Sequence, residues 1–243
     1  MSFMQTVGRG WDGFLGQFAD LLFPSHCVVC RRGGAWLCAE CMATFTSVPL
    51  PVCSQCGDPV DRVGLCSRCR VSPPHIDGIR SLFIFSGVLR EVVHQFKYNG
   101  IKVLAAPLGQ AMVELCAAVG GSVDIVVPVP LHRARIRERG YNQSSLLAGV
   151  VAGQLGLDLN ERDLCRRRST RPQVGLDIVG RRANVTDAFA CNSEAFSGRQ
   201  VLLIDDVCTT GATLEACAAA LYGGGVRAVF AVTLARAHWQ SVR

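Results

Sequence analysis

The sequence predicts an α/β protein, a mostly parallel sheet with flanking helices that follows a small cysteine-rich region. Two observations predict it. Beyond residue 75, short apolar runs alternate with helical stretches, the pattern of strands covered on both faces. Before residue 75, eight of the thirteen cysteines fall between Cys27 and Cys69, always as C-x-x-C. The 243 residues are 49% hydrophobic and 18% charged, which excludes a disordered chain, a collagen and a coiled coil. Net charge is +6, and Lys97 and Lys102 are the only lysines among 25 basic residues. No run of about 18 apolar residues stands out, so no membrane-spanning helix is expected.

Residues 1–25 carry spaced apolar side chains (Phe3, Val7, Trp11, Phe14, Phe18, Leu21), interrupted by Asp12 and Asp20. That spacing reads as an amphipathic helix packed on the main domain, and not as the solid apolar run of a signal peptide. The expected compartment is therefore the reducing cytoplasm, where patterned cysteines bind metal more often than they pair.

Residues 26–75 read as a double zinc ribbon. Cys27 and Cys30 precede Cys38 and Cys41, and Cys53 and Cys56 precede Cys66 and Cys69. Each set of four thiolates suits one tetrahedral structural Zn²⁺, giving two ions per chain. About 50 residues with few large apolar side chains need metal to hold a fold. Redox dithiols are the competing explanation for a single motif; four in series argue against it. Pairing between the ribbons, and one ion instead of two, stay open. A stiff Val71-Ser72-Pro73-Pro74-His75 segment closes the region.

Residues 76–243 form the third region. Strands are expected over 79–85, 123–127, 200–204 and 226–234, and helices over 88–98, 104–119 and 143–155 and from the turn after 204 to residue 222. Residues 160–198 show no periodicity and read as an Arg-rich hood.

One segment carries the chemistry. The apolar run 201–204 enters Asp205, Asp206, Val207, Cys208, Thr209, Thr210, Gly211, Ala212 and Thr213, and a helix follows. Ligands of open α/β sheets bind beyond the carboxyl ends of strands. A small, hydroxyl-rich turn at a helix N-terminus is a phosphate nest. The two acids would repel a phosphate and suit sugar hydroxyls instead. Because neighbouring strand residues face opposite ways, Asp205 and Asp206 share a ligand only if the strand ends at about that point. Cys208 is read as a small tolerated side chain, with a reactive low-pKa thiol as its alternative.

A second segment follows the run 123–127: His132, Arg133, Arg135, Arg137, Arg139, Asn142 and Gln143, in which four arginines alternate with other residues. Guanidinium forks suit an anion, although read alone such arginines are more often a solvated face than a site; in a phosphoribosyltransferase, which this segment resembles, the loop after this strand binds pyrophosphate. His132 is read as orienting this loop. Isolated Trp36 and Trp239 read as packing residues.

The acid-threonine segment resembles the phosphoribosyl pyrophosphate (PRPP) motif of type I phosphoribosyltransferases. There the two acids bind the ribose hydroxyls, the threonine-rich turn binds the 5′-phosphate, and Mg²⁺ accompanies PRPP. Together with PVPLH…RERGYNQ, Phe96-Lys97-Tyr98-Asn99-Gly100 and the cysteine pairs, the chain resembles the ComF family from Leu21 onward. The stretch Arg166-Arg167-Arg168…Gln173…Arg181-Arg182-Ala183-Asn184-Val185 matches as well. Members carry a zinc-ribbon region and a phosphoribosyltransferase-like domain, and some take part in natural transformation. The resemblance implies three regions (1–25, 26–75 and 76–243), a PRPP pocket, and ligand or DNA contacts at Lys97, Tyr98, Arg166, Arg167, Arg168, Arg181 and Arg182. It also implies single-stranded DNA and DNA-processing proteins as partners. Residues 133 to 182 contain eleven arginines against five acids, an electrostatic groove in the nucleic-acid reading. The alternative is an active Mg²⁺-dependent phosphoribosyltransferase acting on an unidentified, nucleobase-like acceptor.

Overall fold

The computed structural model describes residues 25–119, 121, 123–167, 188–191 and 194–237. The helix expected over 1–25, and Arg168, Arg181, Arg182 and Trp239, lie outside the described residues. Two compact units meet in sequence at Thr44 and Phe45. This division cuts through the segment read as one double ribbon and leaves the second set of four cysteines with the sheet.

In the first unit, α1 (Ala39–Ala43) starts at Cys38, whose Sγ accepts a hydrogen bond from the Cys41 N–H. A tight turn begins at Cys27, which accepts from the Arg31 N–H. The second unit repeats this local design, with α2 (Ser67–Val71) capped by Cys66 in the same way.

The sheet then builds in order. Its elements are β1 (Gly78–Ile84), α3 (Gly87–Tyr98), α4 (Ala105–Val119), β2 (Ile125–Pro128), α5 (Arg133–Arg139), α6 (Gln143–Leu155) and β3 (Asp158–Leu159). They continue with β4 (Leu164–Arg166), β5 (Phe189–Cys191), β6 (Gln200–Cys208), α7 (Ala212–Gly223) and β7 (Ala228–Arg236). Five strands pair in the order β1-β7-β6-β2-β3, all parallel. In the hood segment β4 and β5 form a small antiparallel pair; strands of three residues are too short to show a period in sequence.

Central β6 and β7 explain the apolar runs. Leu202, Leu203 and Ile204 are fully buried, each worth roughly 1.5–3 kcal/mol over an exposed position. Leu203 and Ala231 join Leu214, Cys217 and Leu221 of α7 in one cluster. Elsewhere α4 packs on α6, and α6 on β2 and β6.

Two expectations change. Residues Lys102–Val119 have a mean hydropathy of 1.4 over 18 residues, the length and composition of a membrane span, although no such run was anticipated. Within the fold this is a helix that packs on α6 and β7 and buries Leu108, Met112 and Cys116. The other change concerns β6, which runs on to Cys208 and does not stop before the acids, because its ladder with β7 continues through Val207 and Cys208.

Candidate functional site

The extended strand separates the two acids. Asp206 is buried, and its Oδ1 lies 2.7 Å from Lys97 Nζ on α3. Asp205 accepts instead from Ser144 Oγ, in the first turn of α6, at 2.8 Å. The carboxylates are neighbours in sequence with different partners, as alternation along a strand requires. The condition for a shared grip, that the strand end at Asp205, is not met. They hold two positions at the rim of the sheet. Burial, then the adjacent Asp206 charge, pushes the Asp205 carboxyl up to about 7, while Ser144 and Lys97 work the other way.

The turn after β6 has the expected character. Thr210 is buried and its Oγ1 accepts from the Ala212 N–H. Gly211 sits at φ 83°, the left-handed region a glycine enters without strain, directly before α7. Val207 and Thr209 are partly buried beside it, and Ala212 is buried at the start of α7, with Thr213 following on the same first turn. Cys208 is buried, and burial raises its thiol, so the structure does not support the reactive-thiol alternative.

The arginine segment is not a loop. Residues Arg133–Arg139 form α5, which Gly140 ends in the left-handed conformation. Steps of two on a helix turn by about 200°, so the four arginines split into pairs. Arg133 and Arg137 are exposed, and Arg135 and Arg139 are partly buried. Arg135 pairs with Glu138. Arg139 donates to Gln143 Oε1 at 3.0 Å and to Tyr98 Oη at 3.2 Å, and its guanidinium lies 4.7 Å from the Tyr98 ring centre. His132 caps α5, its Nδ1 accepting from the Ala134 N–H, in keeping with an orienting role. Asn142 caps α6 through the Ser144 N–H and donates to the Val129 carbonyl. Gln143 is buried and donates to the Lys97 carbonyl.

The structure thus brings Lys97 to Asp206 and Tyr98 to Arg139, two residues that α3 alone gave no reason to single out. Sequence reasoning missed Ser144 as the partner of Asp205. A serine in a helix first turn is ordinarily a cap, and only the crossing of α6 over the end of β6 distinguishes it. Tyr141, the only aromatic between residues 133 and 182, is buried with its hydroxyl donating to the Phe96 carbonyl. The exposed ring is that of Tyr98. On the hairpin, Arg166 stacks 5.2 Å above Phe189 and feels the charges of Asp205 and Arg135, while Arg167 is exposed.

Each cysteine set closes on itself. The four Sγ atoms of Cys27, Cys30, Cys38 and Cys41 lie within 4.8 Å of one another, as do those of Cys53, Cys56, Cys66 and Cys69. Tetrahedral zinc with Zn–S bonds of about 2.3 Å sets the sulfurs about 3.8 Å apart, and the Cys30–Cys38 and Cys56–Cys66 separations are both 3.7 Å. None of the thirteen cysteines is in a disulfide. Burial opposes ionisation of Cys53, yet the N–H groups of Cys66, Cys56 and Gln55 outweigh it and bring the thiol down to about 6. At Cys27 the N–H groups of Cys38, Cys30 and Val29 likewise overcome burial, again to about 6. Donor type, number and spacing fit two structural zinc sites.

With this geometry in hand, residues 18–70 match the double zinc ribbon domain and residues 142–241 the phosphoribosyl transferase domain. DNA utilization protein YhgH of Salmonella typhi is 31% identical over 219 residues, covering 86% of this chain and 96% of that protein. Competence protein F of Haemophilus influenzae is 29% identical, covering 88% and 98%. Competence protein ComFC of Bacillus subtilis is 26% identical, covering 82% and 84%. The chain belongs to the ComF family. Among solved structures, purine phosphoribosyltransferase from Pyrococcus horikoshii is similar to this ComF chain with a TM-score of 0.36 and 16% identity, over 56% of this chain and 75% of that one. Glutamine phosphoribosylpyrophosphate amidotransferase from B. subtilis has a TM-score of 0.37 and 18% identity, over 53% of this chain and 25% of that one.

Proposed function

We propose that this ComF chain binds PRPP at the end of β6 and handles single-stranded DNA along its arginine-rich face. The observation that carries the reading is the setting of the acids. Lys97 holds Asp206 and Ser144 holds Asp205 beside a glycine turn that opens α7. On this reading Asp205 takes a ribose hydroxyl, and Asp206, on the other face of the strand, stays with Lys97. The backbone N–H groups at the start of α7, with Thr209, Thr210 and Thr213, take the 5′-phosphate. Arg135 and Arg139, on the partly buried side of α5, face the diphosphate, for which a fork of N–H donors is suited. Mg²⁺ favours hard oxygen ligands, and the carboxylate of Asp205 is such a donor; the ion would neutralise charge on the diphosphate.

The nucleic-acid part is supported by the other pair, Arg133 and Arg137, exposed on α5, and by Arg167, exposed at the end of β4. Tyr98, 53% exposed, offers a ring for a base to stack on. YhgH is named for DNA utilization and its relatives for competence. The cytoplasm is the compartment in which free thiols and a PRPP supply coexist.

Calorimetry with millimolar PRPP, with and without Mg²⁺, tests the pocket, and a pyrophosphate-release screen against nucleobases separates binding from transfer. Binding without turnover is the expected result. Absence of heat with wild-type protein removes the PRPP reading, and pyrophosphate release with one nucleobase replaces it with the enzyme.

A further inference from the structure

We infer that Arg236 is a positioning residue of the sugar-phosphate site and acts through the second cysteine cluster, so that zinc held by Cys53, Cys56, Cys66 and Cys69 orders the turn that receives the phosphate. The inference rests on the reading of residues 209–213 as a phosphate turn.

Arg236 ends β7, is 2% exposed, and stands opposite Cys208 in the β6–β7 ladder. The next residue, Ala237, donates to the Cys208 carbonyl at 2.9 Å. The guanidinium reaches away from the sheet to the cluster. Its Nη1 pairs with Asp58 and its Nη2 donates to the Cys56 carbonyl, while Nε is buried with no hydrogen-bond partner. Asp58 also takes Arg68 at 3.0 Å and accepts from Cys56 Sγ. Arg68 and Arg80 sit where they feel the thiolate charges of the cluster, which accounts for them as counter-charges. Arg236, alone of the three, lies beside Cys208 at the end of β7 and carries its contacts with Asp58 and the Cys56 carbonyl to the turn.

A second route runs beside the first. The Ile79 N–H donates to the Gln55 carbonyl at 2.7 Å, and Arg80 Nη2 to the Ser54 carbonyl at 2.9 Å. The cysteine knuckle therefore lies backbone to backbone on β1. Gly57 makes this approach possible, since a Cβ there would fall 2.3 Å from the Ile79 carbonyl oxygen. On its other side Ile79 supports the turn: a Cβ at Gly211 would sit 3.4 Å from Ile79 Cδ1. A small crevice lies between the two parts, lined by Cys56, Arg68 and Cys69 and by Thr210, Gly211 and Glu215. A ribbon that loses its metal loses the knuckle, and with it the support beneath both Arg236 and Ile79.

Amide hydrogen exchange over residues 208–213, read together with PRPP affinity, tests this on the full chain. The samples are the zinc-loaded wild type, the chelator-treated wild type, Arg236→Gln, Arg236→Lys and Asp58→Asn. Met112→Ala, at a fully buried position outside the cluster that contains α7, serves as a control of comparable lost stability. Exchange of the turn should accelerate tenfold or more on chelation and in Arg236→Gln, with PRPP binding weakened about as much. Arg236→Lys, which keeps the Asp58 pair but not the fork, should fall between, and Met112→Ala should leave the turn unchanged. Arg236→Gln with wild-type exchange in the turn, or a change no larger than that of Met112→Ala, overturns the inference. The exchange readout decides it even if wild-type protein fails to bind PRPP, an outcome that would remove the ligand and leave the coupling standing or falling by itself.

Discussion

Asp205→Asn should make the unliganded protein more stable at pH 8 while weakening PRPP binding. In the fold, burial and the neighbouring Asp206 lift the Asp205 carboxyl from 3.8 to about 7. The folded state therefore binds this proton more tightly than the unfolded state. Its stabilising effect is complete below the unfolded value, declines as pH rises from about 4, and is gone above about 7. At about 1.36 kcal/mol per unit, the cost at pH 8 has a ceiling of about 4 kcal/mol, and solvent and relaxation around the charge make roughly 1–3 kcal/mol the working figure. Asparagine carries no charge to bury and keeps an oxygen to accept from Ser144 Oγ and the Asp206 N–H, the two bonds now made by Oδ1. For a unit of this size, about 2–4 °C in Tm accompanies each kcal/mol, so the variant should melt roughly 2–12 °C higher at pH 8. At pH 5 the gain should shrink to under half, about what the same two pKa values give. Thermal melts by circular dichroism at both pH values read this directly. A variant that melts at or below wild type at pH 8, or whose gain is the same at both pH values, would refute the argument that Asp205 is held against an electrostatic penalty for its ligand.

Three further outcomes are expected. Protein purified without chelator should carry two zinc ions per chain by elemental analysis; a content near zero with disulfides by mass spectrometry contradicts the metal reading. Gly57→Ala should destabilise the second unit by on the order of 2–4 kcal/mol in urea melts, because φ is 73° and the new Cβ meets the Ile79 carbonyl; a loss under about 0.5 kcal/mol would mean the knuckle does not bear on β1. Tyr98→Ala should cost single-stranded DNA affinity a factor of roughly 5–100, the worth of one stacked base, with a smaller loss of PRPP affinity because the ring also holds Arg139; equal losses for both ligands would assign Tyr98 to the sugar-phosphate pocket.

The sheet was legible because buried parallel strands are nearly continuous apolar runs, as in 201–204, and because glycine and proline punctuate them. The end of β6 was not. The acids that make the site polar also made the strand look finished at Ile204, while backbone pairing with β7 carries it to Cys208. The C-x-x-C spacing gave both clusters, since a metal needs its donors close in sequence as well as in space. The seating of the second cluster was hidden: Arg236 and Asp58 are 178 residues apart, and nothing local marks either. The alternating arginines misled for a geometric reason. A spacing of two aligns side chains on a strand but opposes them on a helix, and 133–139 is helical. The aromatic partner of Arg139 arrives from another helix, 41 residues away, so a search for aromatics between the arginines found only buried Tyr141.

The central claim, a retained PRPP pocket and a DNA path on opposite sides of α5, is tested most directly by fluorescence anisotropy of a labelled single-stranded oligonucleotide, titrated across salt concentrations with and without PRPP and Mg²⁺. DNA affinity should fall with a log–log salt slope of about −0.7 per phosphate neutralised, and millimolar PRPP should weaken oligonucleotide binding, because Tyr98, the ring on which a base would stack, also contacts Arg139 of the diphosphate pair. DNA binding that is undetectable or independent of salt would contradict the account, as would salt-dependent binding that PRPP leaves untouched in protein shown by calorimetry to hold PRPP.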